Sequence, residues 1–149
     1  MNRPRDLRGF TLVELMVTVG IVAVLAGLAY PSYRDQITRV RRGEMQSELM
    51  SLAEYLERKH AETGCYNAGP DNDCTTAADA GAPSLRTSFP HYTVTVISIG
   101  PTTYKLRARP TGAQAGDGDL YIDQAQRRWW DENNNDSTND AGENDWRRG

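Results

Sequence analysis

Histidine and cysteine are scarce in this chain of 149 residues, which has two of each. His60 and His91 stand alone. Neither sits in a serine–histidine–carboxylate or metal-ligand spacing, and no glycine-rich phosphate loop occurs anywhere. The chain therefore reads as a non-enzyme with no required cofactor. Basic residues are absent between Arg8 and Arg34, and no cysteine lies in the C-terminal third. Positive charge is also short overall: the formal net charge is −3. That balance argues against a general nucleic-acid coat, though not against a local basic patch.

One long apolar run is present, at the N-terminus. Arg8–Tyr30 reads RGFTLVELMVTVGIVAVLAGLAY. The segment from Phe10 to Tyr30 would form about 31 Å of helix, roughly one hydrocarbon thickness. A single carboxylate, Glu14, interrupts it, at about 2.5–3.5 kcal/mol or more near a bilayer centre. A secretory signal peptide places its apolar core before the cleavage site; here Gly9 precedes the core. Cutting at Gly9 would keep the apolar segment and remove Arg3, Arg5, Arg8 and Asp6, leaving 14 basic against 19 acidic residues, a net −5. Arg3, Arg5 and Arg8 orient the N-terminus to the cytoplasm by the positive-inside rule.

Gly9-Phe10-Thr11-Leu12-Val13-Glu14 resembles the class III signal of type IV pilins and type II secretion pseudopilins, and Pro31 after the apolar run matches the same family. The resemblance implies a leader (residues 1–9) cut between Gly9 and Phe10 by a prepilin peptidase, with N-methylation of Phe10. It implies a pilin fold, in which residues 10–30 span the inner membrane and later line a fibre core. There Glu14 would face the methylated amine of a neighbouring subunit, in keeping with the tolerance of buried charges that are paired. Other pilin subunits, the peptidase and an inner-membrane assembly platform are the implied partners. The locations would be the inner membrane first, then the pilus at the cell surface. Gly20 and Gly27 suit close helix approach in such a bundle.

Beyond Pro31, expected to kink the helix or open one turn, the pattern becomes amphipathic over residues 31–61. Tyr33, Ile37, Val40, Met45, Leu49, Leu52 and Leu56 recur at helical spacing. Arg39–Gly43 forms a basic cluster that reads as a solvated helix face, with lipid headgroups, acidic fibre neighbours or DNA as alternative contacts. Residues 62–149 form the rest of the domain. A loop covers 62–90, where Cys65 and Cys74 lie close together in a chain with an export-type N-terminus, the setting of a disulfide. A sheet covers about 91–130. His91–Gly100 alternates Tyr92, Val94, Val96 and Ser98 against Thr93, Thr95, Ile97 and Ile99. Thr102–Arg109 turns Tyr104, Leu106 and Ala108 inward and Lys105, Arg107 and Arg109 outward. Asp119–Gln124 is a third strand, and Gln126–Trp130 extends it or adds an edge. Such a sheet needs a cover, and the amphipathic helix is the one available. The fold class is α+β: a long N-terminal helix packed on a three- to four-stranded antiparallel sheet.

The outward Lys105, Arg107 and Arg109, with Arg127 and Arg128, form either a solvated face or a surface for DNA or another acidic partner. The Asn/Asp-rich segment 131–149 either stays solvated or packs back through Trp146. Asp131, Asn133, Asn135 and Asp140 offer hard oxygens suited to calcium. An EF-hand is rejected, because Asp136 and Gly142 stand where glycine and an acidic residue are required. The leading reading is a minor pilin, most like the PilE-type minor pilins, serving pilus assembly, adhesion or twitching motility. The alternatives are a pilus-borne DNA or surface receptor and a type II secretion pseudopilin. Under the leading reading, Glu14→Ala leaves leader cleavage largely intact and lowers incorporation into fibres. Immunoblots of whole cells and sheared fibres measure both, and normal fibre incorporation contradicts the pairing assigned to Glu14.

Overall fold

The computed structural model describes residues 9–68, 74, 85–137, 143, 145 and 146. Residues 1–8 of the leader, residues 69–73 between the two cysteines and Asp140 lie outside the described residues. The chain divides into two compact units, Met1–Ile37 and Thr38–Gly149.

Helix α1 runs Leu12–Thr63. Thr11 starts it: its Oγ1 accepts the Glu14 backbone N–H at 3.2 Å, and its carbonyl accepts the Leu15 N–H. This is one half of a capping box, with threonine at the cap and glutamate three residues on. The helix continues through Pro31 with no non-helical residue, so the expected opening of a turn there does not occur. Gly64 ends it. Its φ of +84° is costly for any residue with a Cβ, and its N–H bonds back to the His60 carbonyl at 2.8 Å.

In the second unit α1 buries Arg42, Met45, Leu49, Ala53 and Leu56, a stripe at spacings of three and four. The expected apolar face is corrected at two positions. Tyr33 and Val40 are exposed, and Arg42 sits on the buried stripe in their place. Extending the Met45–Leu49–Leu56 phase backwards lands on position 42, whereas hydrophobicity alone points to Val40. The solvated reading of Arg39–Gly43 is overturned at Arg42 for the same reason.

Four antiparallel strands pack against this stripe in the order β1 (Tyr92–Ile99), β2 (Tyr104–Pro110), β3 (Asp119–Asp123), β4 (Arg128–Asp131). Tyr92, Val94, Tyr104, Leu106, Ala108, Leu120, Ile122 and Trp130 join the helix residues in one core. The alternation expected in β1 fails near its end. Val96 pairs with Leu106 but Ser98 pairs with Lys105, a bulge at Ile97. The phase shifts by one, so Ile99 packs on the core and Ser98 turns out. Cys65 and Cys74 form a disulfide that closes the loop after α1. Trp146 joins the core: its indole N–H donates to the Trp129 carbonyl at 2.9 Å, and its own carbonyl accepts from Gln46.

Arg42 meets Asp117 in the connection between β2 and β3. Arg42 Nε donates to Asp117 Oδ2 at 2.9 Å, and a second, parallel contact joins Nη2 to Oδ1. The two side chains are 9% and 7% exposed. The guanidinium also lies 3.7 Å from the centre of the Trp130 ring, whose N–H donates to the Asp117 carbonyl at 2.7 Å. Tyr92 O–H and Gln114 Nε2 donate to the same carboxylate, and Gln114 reaches the Thr38 carbonyl at 2.9 Å. Gly118 follows directly. A Cβ there would stand 2.5 Å from the Asp131 carbonyl oxygen and 2.6 Å from the Trp130 indole nitrogen, and its φ is +92°.

Burial pushes the phenols of Tyr66 and Tyr121 up to about 12, and raises Tyr92 and Tyr104 as well; carboxylates of Glu57 and Asp117 add to the rise for Tyr66, Tyr104 and Tyr92. The fold therefore favours the neutral phenols. That stability is fully present below the ordinary tyrosine value of about 10 and is lost as pH climbs through the raised values. The melting temperature of the full chain in detergent, followed by circular dichroism, should hold up to about pH 10 and fall between there and about pH 12. A melt unchanged across that window contradicts the buried phenol network.

Candidate functional site

Each unit presents one surface that the fold itself leaves unused. In the first, Phe10 is 87% exposed, and Leu12, Val13, Leu15, Met16, Val17 and the apolar residues beyond them are exposed too. Among the described residues, α1 is the one helix long and apolar enough to cross a membrane. Its most apolar 18-residue window has a mean hydropathy of 2.4, with no residue buried. Gly9, Phe10 and Glu14 lie together at its start, and the Thr11 cap fixes the backbone of Glu14.

In the second unit the surface is the outer face of the sheet. Strand alternation carries Lys105, Arg107 and Arg109 to this face on β2, as expected. It also carries Asp119, Tyr121 and Asp123 there on β3, and Trp129 and Asp131 on β4. Arg107 is opposite Tyr121, which is opposite Trp129. Arg109 grips Asp119 through two nitrogens at 2.8 and 3.0 Å. Arg127 grips Asp123 at 2.6 Å, and Asp123 also accepts the N–H groups of Ala125 and Arg127 to build the β3–β4 turn. Lys105 makes no ion pair among the described residues; its ammonium lies 5.1 Å from the ring centres of both Tyr121 and Trp129. Arg128 points to the inner side, over Trp146.

The stripe is therefore not a bare row of cations. Its formal charge is matched by carboxylates that sequence reasoning left out of account. Depth distinguishes the two signs. The Arg127 and Arg109 side chains are 65% and 51% exposed, while their partners Asp123 and Asp119 are 5% and 3% exposed. The Arg109 and Arg127 guanidiniums thus stand above their own buried carboxylates, while the exposed Asp136 carboxylate lies over Arg107 and Arg109. The carboxylates were legible in principle: Asp119 and Asp123 flank Leu120 and Ile122 in the outward phase of β3.

The proposed calcium donors behave differently. Asp131 is buried, and its two oxygens accept the N–H groups of Asn135 and Asp136. Asn133 Oδ1 accepts the Asn135 N–H, and Asn135 Oδ1 accepts that of Ser137. These oxygens shape the loop, and no cluster of three or more His, Cys, Asp or Glu side chains placed to hold a metal occurs among the described residues. A cavity of about 270 Å³ lies elsewhere, between Arg41, Glu44 and Met45 of α1 and Arg86–Tyr92.

Known proteins resemble the chain in both units. The family described as "Prokaryotic N-terminal methylation motif" matches residues 5–30. The family described as "Type IV minor pilin ComP, DNA uptake sequence receptor" matches residues 31–120, more than half of the chain. The type IV major fimbrial protein FimA of Dichelobacter nodosus is 42% identical over 73 residues, 49% of this chain and 40% of that protein. The type IV major pilin protein PilE1 of Neisseria gonorrhoeae is 42% identical over 80 residues, 52% of this chain and 44% of that protein. The chain thus spans less than half the length of these relatives. The non-core minor pilin PilV of Neisseria meningitidis, a solved structure, is 19% identical, with a TM-score of 0.49 over 62% of this chain and 85% of that one. With the methylation motif at its start and the ComP pattern across its centre, the chain belongs to the type IV minor pilins.

Proposed function

We propose that this chain is a minor subunit of a bacterial type IV pilus. The observation that carries the reading is the apolar stretch of α1, whose most apolar window has no buried residue among the described residues. About 25 cal/mol per Å² of exposed apolar surface favours its transfer into lipid or a bundle of like helices. In this reading the leader is cut between Gly9 and Phe10, Phe10 is methylated, and the N-terminus starts in the cytoplasm. The segment waits in the inner membrane and then joins neighbouring subunits, where Glu14 meets a cationic amine. The prepilin peptidase and the assembly platform are the partners in these steps.

A second reading is favoured by the exposed guanidiniums of Arg109 and Arg127 and by the match to a family described as a DNA uptake sequence receptor. The second unit would then present its outer sheet face to DNA from the pilus. After removal of the leader the net charge of −5 gives no long-range attraction, and counterion release at each phosphate contact should make binding weaken with salt.

Deleting the gene and scoring pili, twitching, DNA uptake and protein secretion together tests the main reading. Loss of one or more of the first three with secretion intact is the expected outcome. Secretion lost with pili, twitching and uptake unchanged would instead place the chain among the pseudopilins.

A further inference from the structure

Asp136 occupies an unusual position on the outer face. Its Oδ1 accepts from Arg107 Nη1 at 3.3 Å, Arg109 Nη2 at 3.2 Å and the Tyr121 hydroxyl at 3.3 Å. Three donors from two adjacent strands thus converge on one oxygen. These contacts are long for charge-assisted hydrogen bonds, which run to about 2.7–2.9 Å. One oxygen is too few acceptors for the donors around it. Arg107 Nε is buried beside the same place and has no hydrogen-bond partner among the described residues; an Asp119 carboxylate oxygen is 3.8 Å away.

The occupant is also the least secured part of the arrangement. Asp136 is 64% exposed, whereas Asp119, which holds Arg109 from below, is 3% exposed. Exposed ion pairs of this kind contribute little to stability. The loop itself is anchored one step away, by the bond from the Asp136 N–H to Asp131. The Asp136 side chain can therefore swing out while its backbone stays in place. The Arg107–Arg109–Tyr121 cradle, by contrast, sits on central strand β2 and its neighbour β3, and Asp119 keeps it in place.

We propose that Arg107, Arg109 and Tyr121 form a phosphodiester-binding cradle for nucleic acid, and that Asp136 occupies it in cis as a displaceable stand-in for a phosphate. A phosphodiester carries two non-bridging oxygens and suits two guanidiniums better than a single carboxylate oxygen does. Lys105, at the far end of the same stripe and in no ion pair among the described residues, offers the next contact along the backbone, beside Trp129. The inference rests on the nucleic-acid reading above and assigns its atoms. It makes the C-terminal loop a gate on affinity: wild-type binding is held down by a carboxylate that competes for the site.

The test is fluorescence anisotropy of a labelled 30-base-pair duplex with the full chain in detergent, wild type against Asp136→Asn. This substitution keeps the shape and removes the charge. The expected result is tighter binding by Asp136→Asn, roughly three- to tenfold at 0.1 M salt, with a salt slope steeper by about one to two. A gain of binding cannot come from misfolding. Adding Arg107→Ala to Asp136→Asn should abolish the gain. If the wild type binds the duplex and Asp136→Asn binds no better, the cradle is wrong and the nucleic-acid reading stands. If neither protein binds, the nucleic-acid reading itself falls and the cradle with it. Displacement of the duplex from Asp136→Asn by millimolar inorganic phosphate at constant ionic strength would overturn the assignment to nucleic acid, in favour of free phosphate.

Discussion

The second unit depends on a bidentate ion pair between a helix and a loop. Arg42 stands on the stripe of α1 that meets the sheet, and Asp117 ends the connection between β2 and β3. An unpaired guanidinium in this place would be severely penalised, so the pair must form whenever the helix docks. Its neighbours then fall into position. Trp130 stacks on the guanidinium and donates to the Asp117 carbonyl, and Tyr92 and Gln114 complete the carboxylate. A pair of apolar residues would fill the same space at comparable or better stability. The charged pair supplies direction, because two parallel hydrogen bonds admit one register of loop against helix.

That register reaches the outer face in a few steps. Gly118 lets the chain pass against Trp130 and Asp131 without a Cβ, and β3 begins at the next residue. Placing β3 sets Asp119, Tyr121 and Asp123 opposite the cations of β2. The buried carboxylates in turn hold Arg109 and Arg127 upright at the surface. Asp131 fixes the backbone of Asn135 and Asp136, so the C-terminal loop also takes its place from β4. The ion pairs of the outer face thus follow from one choice of register. The apolar half of α1 is a separate matter, settled by its composition and by the Thr11 cap.

Much of this could be read from residues alone, and the reason is periodicity. The four strands lie within a few residues of their expected bounds, because alternation is a local signal. The helix and its apolar start are equally local. Failures occurred where one contact outweighed the pattern. Arg42 looked solvated because its partner lies 75 residues away, and no local rule couples the two. Strict alternation puts Ile99 on the face opposite Tyr92 and Val94, and a one-residue bulge that leaves no mark in composition brings it to theirs. The stripe Lys105–Arg107–Arg109 was found, but its neutralising layer was not, since that depends on the pairing of β2 with β3. Of the two effects expected of Pro31, a kink or an opened turn, the opened turn does not occur. The hard oxygens of Asp131, Asn133 and Asn135 accept hydrogen bonds from their own loop, which composition alone does not show.

The central claim is that Arg42 and Asp117 act as one unit in positioning the sheet on the helix. A double-mutant cycle tests it most directly, with Arg42→Ala, Asp117→Ala and the double variant compared by urea unfolding of the full chain in detergent, followed by tryptophan fluorescence. Each single change should cost about 3–5 kcal/mol, and the double variant little more than either, since the second removal relieves a stranded charge. Costs that simply add, to within about 0.5 kcal/mol, would mean that the two residues act independently.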